Sequence, residues 1–248
     1  MHQEKRLKKI MQMLAEQGDL STQQLIDSFN ISRDTARRDI LQLVENGKVV
    51  RRHGGIMLLE EKQQVLNYFE RLSQLSAEKI HMAEQAEKQI VENSLCFIDV
   101  STILFQLAQK IKTPCQVYTH SLDNAFALGQ QTKIKLNVLG GTFDFDNRFF
   151  YGEDVLKQLD QVKFDLALIG AASLERDGFY FKEDYNARIK SKIIERSRKV
   201  VLVAEQQKFD KKAHYKGGNY EDLDVLITDQ QLKPSQVSLF EKSTKIIY

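Results

Sequence analysis

Ile31-Ser32-Arg33-Asp34-Thr35-Ala36-Arg37-Arg38-Asp39 is the stretch whose reading decides the fold of this chain. Ser32 is a favoured helix N-cap, and the residues behind it follow a helical period. Ala36, Ile40, Leu43 and Val44 fall at i, i+4, i+7 and i+8 on one apolar stripe. Beside that stripe stand Arg33, Thr35, Arg37 and Arg38. Arg33 and Arg37 are four apart, so two like charges sit one above the other at a small cost to the helix. A polyanion lying against the face offsets that cost. Arg37 and Arg38 suit phosphates or guanine edges, and Thr35 suits a phosphate or a thymine methyl. The competing reading is a solvated face, since Asp34 and Arg38 are also four apart and can pair with each other.

The flanks favour DNA. Upstream, Leu7, Ile10, Met11 and Leu14 form a helical stripe within the basic run Lys5, Arg6, Lys8 and Lys9, and Gly18 ends that helix. Ser21 or Thr22 then caps a short helix carrying Leu25, Ile26 and Phe29. Asn30-Ile31-Ser32 has the length of a helix-turn-helix linker. Downstream, Val49 to Leu58 reads as two short strands with Gly54-Gly55 in the turn, a wing in which Arg51, Arg52 and His53 meet the DNA backbone. Three helices and a basic hairpin make a winged helix-turn-helix whose third helix enters the major groove. The candidate contacts to double-stranded operator DNA are Ser21, Thr22, Ser32, Arg33, Thr35, Arg37, Arg38, Arg51, Arg52 and His53.

The block from Leu20 to Gly55 resembles the DeoR family of bacterial transcriptional regulators. The family signature is a threonine followed by a paired arginine-aspartate on the recognition helix, then a His-Gly-Gly closing the wing. Here they stand as Thr35-Ala36-Arg37-Arg38-Asp39 and His53-Gly54-Gly55.

A chain of 248 residues holds two domains and a sizeable core. With 42% hydrophobic and 28% charged residues it reads as a soluble globular protein. No run approaches the ~18 apolar residues of a membrane span, and the start Met1-His2-Gln3-Glu4-Lys5 lacks a secretory signal's apolar segment. The expected location is cytoplasmic. Cys96 and Cys115 are ordinary thiols, with no metal spacing and no disulfide framework, and no cofactor is expected. Through Leu58, ten lysines and arginines face seven acids, an excess of +3 that leaves −1 for the rest of a +2 chain. The excess lies where a nucleic acid would meet it. It is modest, so a homodimer or higher homo-oligomer on paired half-sites is expected.

Residues 1–58 are therefore the reading head and 59–76 a polar, helix-permissive connector without Pro or Gly. Residues 77–248 are an α/β domain. A helix from Ala77 to about Glu92 is expected to turn Ile80, Ala83, Ala86, Ile90 and Val91 to one side. Strand and helix then alternate, the mark of a parallel sheet covered on both faces. Strands are expected at 95–98, 116–119, 136–139, 164–169 and 199–203, with edge candidates at 226–228 and 245–247. The segment from Gly170 to Asp184 reads as irregular and aromatic.

Ligands bind beyond the carboxyl ends of such strands. Those ends carry Asp99-Val100-Ser101-Thr102, Thr119-His120-Ser121, Gly140-Gly141, Gly170 and Glu205 to Lys208. Hydroxyls, backbone N–H groups and a lysine suit a polyhydroxylated, anionic small molecule. Taken singly, each group also reads as an ordinary turn or cap. The DeoR resemblance extends through this part and implies a Rossmann-like sensor related to sugar-phosphate isomerases, responding to a phosphorylated sugar or similar catabolic intermediate. The family's first loop, Asp-x-Gly-Thr-Thr, is matched at Asp99 and Thr102, with Ser101 for the glycine and Ile103 for the second threonine. If that position needs a positive φ, Ser101 is strained there. The family's Thr-Asn-Ser turn stands as Thr119-His120-Ser121, its helical lysine as Lys190, and its late lysine as Lys208. The effector residues so expected are Asp99, Ser101, Thr102, Thr119, Ser121, Gly140, Gly141, Gly170, Lys190 and Lys208.

The sequence thus points to a repressor of a sugar-catabolic operon. The rival is a sugar-phosphate isomerase-like enzyme with an added DNA-binding head, whose proton-transfer candidates are Asp99, Glu205, Lys190 and Lys208.

Overall fold

The computed structural model describes residues 3–45, 49–52, 54–58 and 76–248. The chain divides into two compact units, Met1–Val65 and Leu66–Tyr248. The connector expected at 59–76 lies almost wholly outside the described residues.

The first unit runs α1 (Gln3–Gln17), β1 (Asp19–Ser21), α2 (Thr22–Phe29), α3 (Arg33–Glu45), β2 (Val49–Arg52) and β3 (Gly55–Leu58). The expected stripes meet in one core: Ile10 and Leu14 of α1, Leu25 of α2, and Ala36, Ile40 and Leu43 of α3. The wing gains a strand that the sequence pattern does not announce. β1 pairs with β3, giving the order β1–β3–β2. Ser21 serves twice, as the last residue of β1 and as the cap of α2. Its Oγ accepts from Gln24 N–H at 3.1 Å, and its own N–H donates to Gln24 Oε1 at 2.7 Å. Gly55 is required at this crossing, because a Cβ there would lie 2.2 Å from Leu20 O. Gly54, at φ +82, makes the turn.

The second unit runs α4 (Ala77–Glu87), β4 (Leu95–Ile98), α5 (Thr102–Lys110), β5 (Cys115–Thr119), α6 (Leu122–Leu128), β6 (Ile134–Val138), β7 (Thr142–Asp144), β8 (Phe149–Tyr151), α7 (Glu153–Asp160), β9 (Leu166–Ile169), β10 (Ser173–Glu175), β11 (Gly178–Phe181), α8 (Asp184–Glu195), β12 (Val200–Val203), β13 (Tyr215–Gly218), β14 (Val225–Ile227), α9 (Pro234–Val237) and β15 (Lys245–Ile247). Seven strands form a parallel sheet in the order β15–β14–β12–β9–β4–β5–β6. Its residues alternate between two cores. Ile98, Leu168 and Val201 face α4, α5 and α6, while Phe97, Ala167, Ile169 and Leu202 face α7 and α8. This explains why the strands read as continuous apolar runs.

Three expectations are corrected. α4 stops at Glu87, so Val91 is 69% exposed, and Met82 and Lys79 take the inward positions instead. β14 lies inside the sheet, because β15 pairs beyond it. The stretch expected to be irregular is a hairpin, β10–β11, extended by β13 into a second sheet. Its alternation, with Phe179 and Phe181 buried around Tyr180, spans too few residues to register as a period. Hairpin β7–β8 was not anticipated either, for the same reason.

The chain enters the parallel sheet at β4, builds outward to β5 and β6, then returns to β4's other side with β9 and builds through β12, β14 and β15. The strand order reverses between β4 and β9. The carboxyl ends of these two strands mark the switch point, where such folds bind ligands.

Candidate functional site

Two sites emerge, one in each unit. In the first, Ser32 Oγ accepts from Thr35 N–H at 3.2 Å and fixes the start of α3. This turns Arg33, Arg37 and Arg38 outward, all exposed, while Ala36 and Ile40 face the core. Between α3 and the wing lies a concavity of about 680 Å³ lined by Thr22, Arg33, Arg37, Ile40, Arg51, Gly54 and Gly55. Four of the expected contacts therefore share one surface. Among the described residues, the ion pair of this unit is Arg6–Asp39, and none engages Arg33, Arg37, Arg38 or Arg51. His53 and the side chain of Arg52 lie outside the described residues.

Asp39 is not a DNA contact. It is fully buried on the inner face of α3, where its carboxylate takes Arg6 Nε at 2.5 Å, Arg6 Nη2 at 3.0 Å and Gln3 Nε2 at 3.0 Å. These bonds lock α1 to the recognition helix, and the hydrogen bond to Asp39 raises the Arg6 pKa. The sequence held a signal for this pair. Arg6 lies four residues before Ile10, and Asp39 three after Ala36, so each is an opposite charge on an apolar stripe.

The second site stands at the switch point. Asp99, just past β4, is 1% exposed, and Lys190 of α8 and His120 past β5 are 0% exposed. Lys190 Nζ lies 2.5 Å from Asp99 Oδ1, 2.5 Å from Asn186 Oδ1 and 3.0 Å from His120 Nε2. Three acceptors thus meet the three protons of an ammonium. The Asp99 carboxylate also accepts N–H bonds from Val100 at 2.6 Å and Gly170 at 3.0 Å. His120 Nδ1 sits 3.1 Å from Phe150 O, and its Nε2 lies 3.0 Å from both Lys190 Nζ and Asp99 Oδ1; assigning the ring proton to Nδ1 satisfies the Phe150 carbonyl and leaves Nε2 to accept from Lys190. Burial pushes the Asp99 carboxyl up, but the Lys190 charge outweighs it and holds the pKa below the usual value. Burial, helped by the Lys190 charge, pushes the His120 pKa down. The cluster is a carboxylate, an ammonium and a neutral imidazole, pinning β4, β5, β8 and α8 together.

The other expected effector residues stand along the same sheet edge. Ser101 caps α5, with Leu104 N–H at 3.1 Å, in an extended backbone of φ −161, so the serine carries no strain where the family has glycine. Gly170 packs tightly on it, since a Cβ there would lie 3.2 Å from Ser101 Cβ. Thr102 opens α5. Thr119 Oγ1 donates to Ile98 O at 2.7 Å, and Ser121 Oγ accepts from Asn124 N–H at 3.2 Å. Gly140 and Gly141 follow β6, and Lys208 sits in the 3₁₀ turn Gln206–Asp210 after β12. The sequence pattern did not single out His120, Asn124 or Asn186. His120 stood in the Thr119-His120-Ser121 turn without being given a role, and Asn186 left a trace by lying four residues before Lys190 on α8's inner face.

These pKa directions set a pH dependence. In the unfolded chain His120 takes a proton near pH ~6.5, which the buried ring refuses, so stability falls as pH drops below that value. A further loss comes in the carboxylate range, where unfolded Asp99 protonates before the folded residue does. Urea midpoints at pH 7.5 and 5.5 should therefore differ, and His120→Asn should shrink the difference. An equal difference in the variant would show that the ring carries no part of it.

Comparison with known proteins matches both units of the chain. The family model described as "DeoR-like helix-turn-helix domain" matches residues 6–62, and that described as "DeoR C terminal sensor domain" matches residues 74–230. The chain is 30% identical over 231 residues to the HTH-type transcriptional repressor GlcR of Bacillus subtilis, covering 93% of this chain and 90% of that protein. It is 29% identical to the Glycerol-3-phosphate regulon repressor of Escherichia coli (98% and 96% covered), and 30% identical to the Lactose phosphotransferase system repressor of Lactococcus lactis (100% and 99%). Ribose 5 phosphate isomerase A from Neisseria gonorrhoeae overlaps 55% of this chain and 54% of its own at 14% identity and a TM-score of 0.39, too distant to speak to function. With both family domains in order and relatives matched along nearly their whole length, this chain belongs to the DeoR family of transcriptional regulators.

Proposed function

We propose that this protein represses a sugar-catabolic operon and leaves its operator when a phosphorylated sugar or related metabolite enters the crevice of the α/β unit. The observation that carries the DNA half is the arginine-lined concavity between α3 and the wing. The names of the relatives, which concern glycerol 3-phosphate and a lactose phosphotransferase system, support the sugar half. The protein acts as a homodimer or higher homo-oligomer, because one head is a weak reader. Residues 1–58 form that head, and the effector contacts lie at the strand ends from Asp99 to Lys208, with the Asp99–Lys190 pair framing the site from beneath rather than open to the ligand. An isomerase-like enzyme needs a base open to substrate. Asp99 and Lys190 are instead committed to each other, and a turnover assay on sugar phosphates separates the two readings.

Gel-shift titration on operator and random DNA tests the head. Arg37→Ala and Arg38→Ala should each weaken operator binding by roughly 5–150-fold; a base-reading residue relaxes specificity, and a phosphate contact weakens all sequences alike. Wild-type affinity in both variants overturns the assignment. The same titration with a sugar-phosphate panel tests the switch. An effector should lower operator affinity by roughly 5–150-fold, as allosteric couplings do. Lys208→Ala should blunt that response and leave ligand-free affinity intact, since Lys208 belongs to the turn after β12, at a strand end where a phosphate would lie. A full response in the variant removes Lys208 from the pocket.

A further inference from the structure

Asn124, in the first turn of α6, is fully buried, and the two ends of its amide meet different fates. Nδ2 donates to the backbone carbonyl of Asp99 at 2.8 Å. A carbonyl can only accept, so this bond fixes which end of the amide faces it. Oδ1 is left buried with no donor, the one such side-chain atom among the described residues. A buried acceptor without a donor is unfavourable enough that native interiors fill it.

None of the neighbouring cluster's protons reaches Oδ1. The ammonium of Lys190 meets Asp99, Asn186 and His120, and the His120 Nδ1 proton goes to Phe150 O. The hydroxyls beside Asn124 do not reach Oδ1 either: Thr119 donates to Ile98 O, and Ser121 Oγ takes the backbone N–H of Asn124 itself. No described residue supplies the donor, so one from outside would complete the site. It must be neutral and must donate. A phosphate or carboxylate oxygen would set a second acceptor, and a charge, against the first.

We propose that Asn124 Oδ1 accepts a hydrogen bond from one hydroxyl of the effector and thereby sets which hydroxyl pattern the sensor admits. This rests on the effector-sensing reading above and divides the ligand's chemistry. A hydroxyl goes to the carboxyl end of β4 at Asn124, and the anionic group stays towards the exposed glycines after β6 and Lys208.

The test is operator release, titrated on the intact protein with hexose 6-phosphates, ketohexose 1-phosphates, pentose 5-phosphates and glycerol 3-phosphate. Monodeoxy and monofluoro analogues of each active member follow. A site built to bond a hydroxyl rejects the analogue that lacks it, so one deoxy position should raise the half-release concentration about tenfold or more. Fluorine at that position should fail likewise, since it cannot donate. Asn124→Leu, or Asn124→Ala if the larger side chain does not fit, should respond equally to the parent and that analogue. If wild type treats the parent and every deoxy analogue alike, Oδ1 holds a structural water and the proposal falls while the sensor reading stands. If the variant keeps the full wild-type preference, another residue reads the hydroxyl and the proposal falls again. If no panel member shifts operator affinity, the sensor reading fails and takes this proposal with it.

Discussion

Lys190→Met should destabilise the α/β unit by about 3–5 kcal/mol, the range for removing one partner of a buried ion pair. The methionine fills much of the volume of the lysine stem, so packing changes little. What is lost is the charge that Asp99 faces at 2.5 Å, along with the donor to Asn186 and His120. Two backbone N–H groups, from Val100 and Gly170, still solvate the Asp99 carboxylate, which points to the lower end of the range. Adding Asp99→Asn removes the orphaned charge and should recover part of the loss. Urea unfolding of the intact protein, followed by far-ultraviolet circular dichroism, reads all three. A single variant within about 1 kcal/mol of wild type would mean that the cluster does not hold the unit together.

Asp39→Ala should be as damaging to the first unit and should cost operator binding without removing any DNA contact. The substitution leaves the Arg6 guanidinium buried against α3 without its carboxylate, again about 3–5 kcal/mol. A unit of this size has few kcal/mol to lose, since native domains hold about 0.05–0.15 kcal/mol per residue. The head should therefore be substantially unfolded. Amide hydrogen exchange separates this from Arg37→Ala: protection in α1 and α3 collapses in Asp39→Ala and stays in Arg37→Ala, although both bind DNA poorly. The paired replacement Arg6→Met with Asp39→Leu should restore protection, because an apolar pair of similar volume can stand in for a buried ion pair. Wild-type protection in Asp39→Ala would overturn the strut assigned to this pair.

Several features of the molecule were legible in the residues alone. The stripe Ala36, Ile40 and Leu43 fixed which side of α3 faces inward, and hence that Arg33, Arg37 and Arg38 face outward. The continuous apolar runs at 95–98, 166–169 and 200–203 announced strands buried on both faces, because a strand with helices on either side has no polar side. Such periodicities are local and survive without knowledge of neighbours.

Other features depended on which distant segments meet. Short strands such as β1, β7 and β10 have too few residues to show a period, and they exist because β3, β8 and β11 lie alongside to take their hydrogen bonds. The partners of charged residues were hidden for a related reason. Asp99, His120 and Lys190 are separated by 21 and 70 residues, and nothing local in any of them indicates that it is buried beside the others. The sequence by itself determined the elements, the class of fold and the outward face of the recognition helix, since these follow from side-chain spacing. Only the tertiary structure decided that Asp39 and Lys190 are interior struts and that Asn124 holds an unfilled acceptor. The state of a polar group depends on whether it meets water or a partner, and that partner comes from elsewhere in the chain.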